Sequence, residues 1–143
     1  MLEKYAVLLG GGFNHRYGLD DGVCIKSNHA AIAGGIVAAV KSAREKVGHI
    51  HRIAVEATNE REIEEAIDSG ASVLVLRDLD ETHAKERIDK ARKLSNSIAI
   101  EVSGNIALEN VRAFAEAGAD LIRVDALTQS VRAMAISFQI QAG

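Results

Sequence analysis

Five charged residues alternate in sign along the sequence, and each stands near the end of a short apolar run. The series runs plus, minus, plus, minus, plus: Lys26, Glu56, Arg77, Glu101 and Arg123. If the runs are neighbouring parallel strands, these side chains lie at corresponding heights on one sheet. Such a row can hold a zwitterionic or polyanionic ligand, or it can be a network of ion pairs that neutralises itself. The residue types alone leave both interpretations open.

The elements that position these charges are predicted from hydrophobic periodicity. Five runs predict strands: Val23–Lys26, Arg52–Ala57, Ser72–Arg77, Ser97–Val102 and Asp120–Val124. A weaker alternation over Ile136–Ile140 predicts a sixth strand at a sheet edge. Amphipathic helices are predicted between the strands: Gly35–Val47, Glu60–Ser69, Glu81–Leu94 and Ala107–Ala117. Asn59 and Glu62 have the spacing of a capping box, which predicts a helix start.

The two sides of each predicted strand differ in character. Alternate residues of a strand point to opposite sides, and each such set is here called a parity. One parity is apolar and is expected to pack beneath the helices, as Ile53 and Val55 illustrate. The other parity carries a small or apolar residue followed by a charge, as in Ala54 and Glu56. A doubly wound sheet needs apolar residues on both faces. We therefore predict an α/β fold, a partial (β/α) TIM-like barrel of five or six strands, with a flavodoxin-like doubly wound sheet as the alternative.

Composition limits the classes of function. The 143 residues predict a single α/β domain, 1–143, with 48% hydrophobic residues and a formal net charge of −3. This balance predicts no nucleic-acid partner and no membrane association. The single cysteine, Cys24, rules out an internal disulfide and is expected to be a buried, inert thiol. A cytoplasmic location is the expectation that follows.

A series of motifs resembles a known family. Residues 10–19, GGGFNHRYGL, and 25–29, IKSNH, are similar to the GGG-x-NHR-x-GL and IK-D-NH motifs of quinolinate phosphoribosyltransferases. The similarity continues through Val55-Glu56, Val102-Ser103-Gly104 and residues 108–112, LENVR, to Ile136-Ser137-Phe138. The resemblance covers the whole chain and implies the C-terminal barrel portion of such an enzyme.

The resemblance also implies roles for individual residues. Members of the family transfer phosphoribose to quinolinate with Mg²⁺ and release CO₂. His15, Arg16 and Lys26 match cations that hold the substrate carboxylates, and Lys26 and Glu56 are the catalytic candidates. Ser103 and Gly104 match the start of a phosphate-binding loop. No resident metal site is predicted from the residues themselves, and Mg²⁺ is expected only if the family activity is retained.

The departures from the family pattern matter as much. The strand acid of the family is Arg77 here, with Asp78 one position later, and the IK-D-NH aspartate is Ser27. A glycine of a second phosphate loop is Asp125, whose carboxylate repels a phosphate dianion. Because charges have changed at two positions of the alternating row, we favour the ion-pair network over a ligand-binding row.

These features lead to two hypotheses of function. The first is a phosphoribosyltransferase barrel segment that binds a small phosphorylated or carboxylated ligand at the strand ends and is inactive alone. A separate chain then supplies the missing barrel half, because the family's N-terminal domain and first barrel strand are absent from this sequence. The second is a non-catalytic, degenerate or engineered half-barrel with a role in folding or assembly. Either way, the unpaired sheet edge near Val23–Lys26 predicts a homo-oligomer.

Overall fold

The computed structural model describes residues 1–141, which form seven helices and five strands in an α/β arrangement. The strands are β1 (Val23–Ile25), β2 (Ile53–Ala57), β3 (Val73–Arg77), β4 (Ala99–Ser103) and β5 (Leu121–Arg123). The helices are α1 (Leu2–Leu9), α2 (Ser27–Ala33), α3 (Ile36–Lys46), α4 (Glu60–Asp68), α5 (Glu81–Leu94), α6 (Val111–Glu116) and α7 (Ala126–Gln129). Each predicted strand before residue 130 is present, within two residues at either end.

The strand order decides between the two architectures. All neighbouring strands are parallel, and the order is β1-β2-β3-β4-β5 without a reversal. A doubly wound sheet reverses its order at a switch point, whereas a TIM-like barrel adds strands in sequence. The partial-barrel prediction is therefore confirmed. Strands β1 and β5 are the two edges of this sheet.

One face of the sheet, here called the helix face, carries the hydrophobic core. Strand residues such as Val55, Leu74 and Ile100, each 0% exposed, pack against α3, α4, α5 and α6. The helices contribute fully or nearly fully buried side chains, among them Ile63, Ile88 and Phe114. These are the apolar parities that the sequence predicted.

Local capping explains why two of these helices begin where they do. The Asn59 side chain accepts a hydrogen bond of 3.0 Å from the Glu62 backbone N–H, which confirms the predicted cap. Asp80 caps α5 in the same way, at 2.8 Å from the His83 N–H. Gly70 follows α4 at φ +79, a conformation in which glycine has no Cβ penalty.

Three sequence expectations are corrected. Ile136–Ile140 is not a strand: residues 130–141 contain no helix or strand, and Phe138 is 85% exposed. The prediction of a sixth strand was wrong because an alternating hydrophobic pattern alone does not supply a neighbouring strand for its backbone to pair with. The helix predicted over Ala107–Ala117 begins only at Val111. The segment after β1, for which the periodicity predicted no helix, is helix α2, where His29 accepts a 3.1 Å hydrogen bond from the Lys26 N–H.

Within the described part of the chain, no helix has both the length and the apolar character that crossing a membrane requires.

Candidate functional site

The face opposite the helices, here called the inner face, carries the charged parity of the strands. Its residues toward the strand C-termini form what we call the mouth: Glu56, Arg77, Glu101, Ser103 and Arg123. Because all five strands are parallel, their C-terminal ends lie at the same edge of the sheet. The inner face below the mouth contains small or apolar residues, including the buried Cys24 and Val73.

The register of the strands divides the mouth into two layers. Glu56 is level with Val75, and Val75 is level with Glu101. Arg77 lies two residues further along β3 than Val75, and it is level with Ser103 and Arg123. The expectation that all five charges lie at one height is therefore wrong. Buried acids form the lower layer, and two arginines with a serine between them form the upper one.

Ion pairs connect the two layers. Arg123 bridges both acids, with Nη1 3.1 Å from Glu101 Oε1 and Nη2 3.7 Å from Glu56 Oε1. Arg77 approaches the other oxygen of Glu56, with Nη1 3.6 Å from Oε2. The side chains of Glu56 and Glu101 are 3% and 9% exposed, so both charges would be costly without these partners. Four of the five charges in the row therefore pair with one another.

Lys26 is the member that stays outside this network. Its side chain is exposed, and in the described part of the chain no carboxylate oxygen lies within 4.0 Å of it. It follows β1 directly and forms the N-terminal boundary of α2. The self-neutralising network predicted for the row therefore does not include Lys26, because Arg77 and Arg123 occupy the surroundings of the Glu56 carboxylate. The ammonium of Lys26 is left available to solvent or a ligand.

His15 and Arg16 lie on a segment that α1 holds in place. The Lys4 ammonium donates to the carbonyls of His15 and Arg16, at 2.9 Å and 3.1 Å. Partial burial lowers the pKa of His15, the cations Arg123, Arg16 and Lys4 lower it further, and Glu101 opposes them. His15 is therefore close to the mouth and carries a neutral ring at pH 7, which can exchange hydrogen bonds but provides no fixed charge.

The Arg16 guanidinium donates a hydrogen bond to a backbone carbonyl of the loop that precedes β1. Its Nη1 donates a 2.9 Å hydrogen bond to the Gly22 carbonyl, just before β1. This contact holds the guanidinium at the N-terminal end of β1, and its other nitrogens make no hydrogen bond to the residues that the structure describes.

Ser103 and Gly104 end β4 at the centre of the upper layer. The Ser103 side chain is buried at 2% exposure, and its hydroxyl has no hydrogen-bond partner among the described residues. Gly104 adopts φ +130, and a Cβ there would lie 3.1 Å from the Asp78 backbone nitrogen. The Asp78 N–H in turn donates to the Ser103 carbonyl at 3.0 Å. Gly104 is thus required both by its φ angle and by the close approach of Asp78.

A cleft beside the mouth provides space for a ligand. It has a volume of about 530 Å³ and lies between Glu56, Arg77 and Asp78 on one side and Gly34 and Gly35 on the other. Small residues on the α2–α3 connection keep this side open. The volume is within the range of small-molecule sites.

Cys24 is confirmed as a buried free thiol at 8% exposure. Burial raises its pKa, and the nearby Glu56 carboxylate raises it further. The thiol form therefore predominates at neutral pH, which agrees with the expected inert role.

The carboxylates of the mouth are engaged by guanidinium groups, whose positive charge disfavours Mg²⁺. Across residues 1–141 no three or more histidine, cysteine, aspartate or glutamate side chains come together as a metal site. Glu56 and Glu101 face guanidinium groups, and Mg²⁺ binds through carboxylates and waters in an octahedral shell. The residues present therefore do not fit the metal that the resemblance implies.

Sequence reasoning missed two features of this site. The bridging position of Arg123 could not be foreseen, because it depends on the stagger between strands. Asp78 was noticed only as a displaced acid, although its φ of +52 is unusual for a residue other than glycine. The only signal was the Arg77-Asp78 pair directly after an apolar run.

Comparison with known proteins agrees with this geometry. Residues 1–139 match the family described as quinolinate phosphoribosyl transferase, C-terminal domain. The chain is 42% identical over 141 residues to a probable nicotinate-nucleotide pyrophosphorylase [carboxylating] of Bacillus subtilis, covering 98% of this chain and 47% of the relative. It is 34% identical to the human nicotinate-nucleotide pyrophosphorylase [carboxylating], with 98% and 47% covered.

Solved structures give the same relationship. The nicotinate-nucleotide pyrophosphorylase of Francisella tularensis superposes with a TM-score of 0.81 at 39% identity, over 90% of this chain and 44% of that one. The Ehrlichia chaffeensis protein of the same name gives 0.81 at 34% identity, over 91% and 46%. The chain spans about half the length of the curated relatives it matches. It belongs to the quinolinate phosphoribosyl transferase C-terminal domain family.

Proposed function

We propose that this chain is a barrel segment of a phosphoribosyltransferase that binds a small carboxylated or phosphorylated anion at its mouth. The observation that carries the proposal is the buried hydroxyl of Ser103. It has no partner among the described residues, and it lies in register between Arg77 and Arg123. A buried hydroxyl without a partner costs free energy, which a bound acceptor recovers.

The substrate-binding candidates support the same site. Lys26 and Arg16 provide cationic donors near β1, and Ser103 and Gly104 lie at the end of β4. The neutral His15 ring is close to Arg123 and Glu101 on the other half of the mouth. Lys26, Ser103 and Gly104 lie at the C-terminal ends of their strands, where a barrel of this type places its ligands, whereas Arg16 contacts the N-terminal end of β1. Lys26 and Glu56 remain the candidates for a catalytic role.

We also propose that the chain alone does not convert quinolinate to nicotinate mononucleotide. Arg77 holds the position of the family's strand acid, and it pairs with both Glu56 and Asp78. The Asp78 carboxylate overhangs Gly104, where the resemblance places a phosphate. A negative charge there disfavours a phosphate dianion and removes transition-state stabilisation.

Ligand-induced thermal shifts test the binding proposal. Quinolinate, nicotinate mononucleotide and phosphoribosyl pyrophosphate are added separately to the wild type and to Lys26→Ala. We expect a ligand to raise the melting temperature of the wild type and the shift to disappear in Lys26→Ala. Lys93→Ala, on the far end of α5, is the control for loss of a surface charge. Equal shifts in all three proteins would place binding elsewhere.

A role in assembly is the second candidate, and exposed apolar surface favours it. Strands β1 and β5 leave backbone groups unpaired at both sheet edges. Large apolar side chains are also exposed on α1 and in the C-terminal segment: Leu2, Leu9, Met134, Ile136, Phe138 and Ile140. A homodimer, or a separate chain that supplies the other barrel half, would cover this surface. Light scattering at several concentrations tests self-association, and a mass near 15.3 kDa throughout would exclude the homodimer.

A further inference from the structure

The two buried acids of the mouth already have positive partners. Glu56 and Glu101 are both buried, and Val75 lies between them in the strand register, so the two acids are on strands that are not neighbours. Two carboxylates on strands that are separated by one intervening strand can share a cation that lies between them. The question is which cation occupies that position.

In this chain the bridging cation is a guanidinium. Arg123 reaches Glu101 at 3.1 Å and Glu56 at 3.7 Å, and its side chain is only 22% exposed. Arg77 adds the second positive charge, 3.6 Å from Glu56. Two buried negative charges therefore face two positive ones, although neither Glu56 oxygen nor Glu101 Oε1 accepts a hydrogen bond from the residues that the structure describes.

The remaining acids of the mouth do not form a separate cation site. Asp78 lies 3.2 Å from Arg77 Nε, and Asp125 lies 3.9 Å from Arg123 Nε. Both side chains are about half exposed, so solvent screens them. A divalent cation entering the mouth would meet the two guanidinium groups at close range and would be repelled by them.

We infer that Arg77 and Arg123 take the electrostatic place of a divalent cation in this mouth, so that it excludes Mg²⁺ and holds its anionic ligand without a metal. The exclusion of metal depends only on the ion pairs, whereas the ligand part rests on the proposed function. Arg77 is the residue that meets the ligand, because its side chain is 46% exposed. Arg123 is a positioning residue that is held by both acids.

Mn²⁺ binding without any ligand tests the exclusion of metal. Free Mn²⁺ is counted by electron paramagnetic resonance during titration of the wild type, Arg123→Met and Arg112→Met. Methionine keeps much of the side-chain volume and removes the charge. We expect weak, non-stoichiometric binding to the wild type and binding of one ion to Arg123→Met that is tighter by roughly tenfold or more. Arg112 is 85% exposed on α6, and its substitution should not change Mn²⁺ binding.

Two further variants keep the test decisive. The Arg77 side chain is more exposed than that of Arg123, so Arg77→Met is expected to disturb folding less. It should also increase Mn²⁺ affinity. Glu56→Gln in the Arg123→Met background should abolish the gained site. Stoichiometric Mn²⁺ binding to the wild type that Glu56→Gln removes would overturn the inference. So would unchanged binding in a folded Arg77→Met or Arg123→Met.

Ligand binding is measured separately, as a melting shift with quinolinate in EDTA and again with Mg²⁺. Equal shifts under both conditions support metal-free binding, and a shift that requires Mg²⁺ would refute it. If no ligand shifts the melting temperature, the proposed function fails, while the Mn²⁺ titration still decides the exclusion of metal.

Discussion

The helix face and the inner face are built from the same five strands, but different interactions stabilise them. On the helix face, side chains such as Leu74 and Ile100 are fully buried among helices. On the inner face, Arg77 and Arg123 balance Glu56 and Glu101 near the C-terminal edge. The apolar face fixes the fold, so the charged face can change its residues while the sheet stays the same. Arginines in the mouth are therefore compatible with the fold of the family, because the helix face does not depend on them.

The largest expected effect contrasts one leucine from each face. Leu74→Ala removes a fully buried side chain from the central strand and should lower the free energy of unfolding by about 2–5 kcal/mol. Leu121→Ala, on the inner face at 45% exposure, should cost less than about 1 kcal/mol. Urea unfolding at pH 7 measures both. Equal losses would show that the inner face is packed as tightly as the helix face.

A double-mutant cycle tests the ion pairs of the inner face. Glu56→Gln leaves Arg77 and Arg123 with one fewer partner in a buried layer and should cost about 3 kcal/mol. Replacing Glu56 by Leu together with Arg77 by Met should cost much less, because Arg123 keeps its 3.1 Å contact with Glu101. The single variants Glu56→Leu and Arg77→Met close the cycle, and urea unfolding of these and of the double variant gives the coupling energy, expected at about 0.5–3 kcal/mol. Strictly additive losses would show that the pairs do not act together.

A smaller effect is expected at Gly104, which follows β4 directly and lies close to the Asp78 backbone. Gly104→Ala places a Cβ 3.1 Å from the Asp78 backbone at a φ of +130, and should cost about 1–3 kcal/mol. In an Asp78→Gly background the carboxylate contact is gone, but the backbone contact remains, so most of the loss should persist. Thermal unfolding of the four proteins checks this. Full rescue by Asp78→Gly would mean that the Asp78 side chain alone requires glycine at position 104.

The smallest effect concerns a charge on the exposed rim of the helix face. Hydrogen bonds from Thr82, from the His83 side chain and from the His83 N–H lower the pKa of Asp80 below its ordinary 3.8. A lowered pKa means that the carboxylate stabilises the fold fully above pH 3.8 and that this contribution is lost as the pH falls toward the folded pKa. Asp80→Asn keeps the capping oxygen but does not titrate.

Urea midpoints of the wild type and Asp80→Asn between pH 2 and 7 measure this contribution. The wild type should be the more stable protein at pH 7, and the difference should shrink below pH 4. A difference that stays constant with pH would mean that the charge of Asp80 does not contribute.

Much of the fold was readable from local pattern. The strands, the helix-face parity and the Asn59 cap depend on residues near one another in sequence, so periodicity and spacing suffice to predict them. For the site, the resemblance proposes Ser103, Gly104, Lys26, Glu56, His15 and Arg16, and their roles stay a prediction. The predictions failed where a local pattern needs a neighbouring element that is not there, as in the segment Ile136–Ile140, which has no strand to pair with in the described structure.

By itself, the sequence determined five strands with an apolar and a charged side and the family they belong to. Only the tertiary structure decided that the strands add in order, that the charges lie in two layers, and that Arg123 rather than Lys26 pairs with Glu56. Strand order and register depend on how whole βα units pack, and a stagger of two residues moves a side chain to the next layer. No local spacing encodes that stagger, because it is set by contacts between strands far apart in the chain.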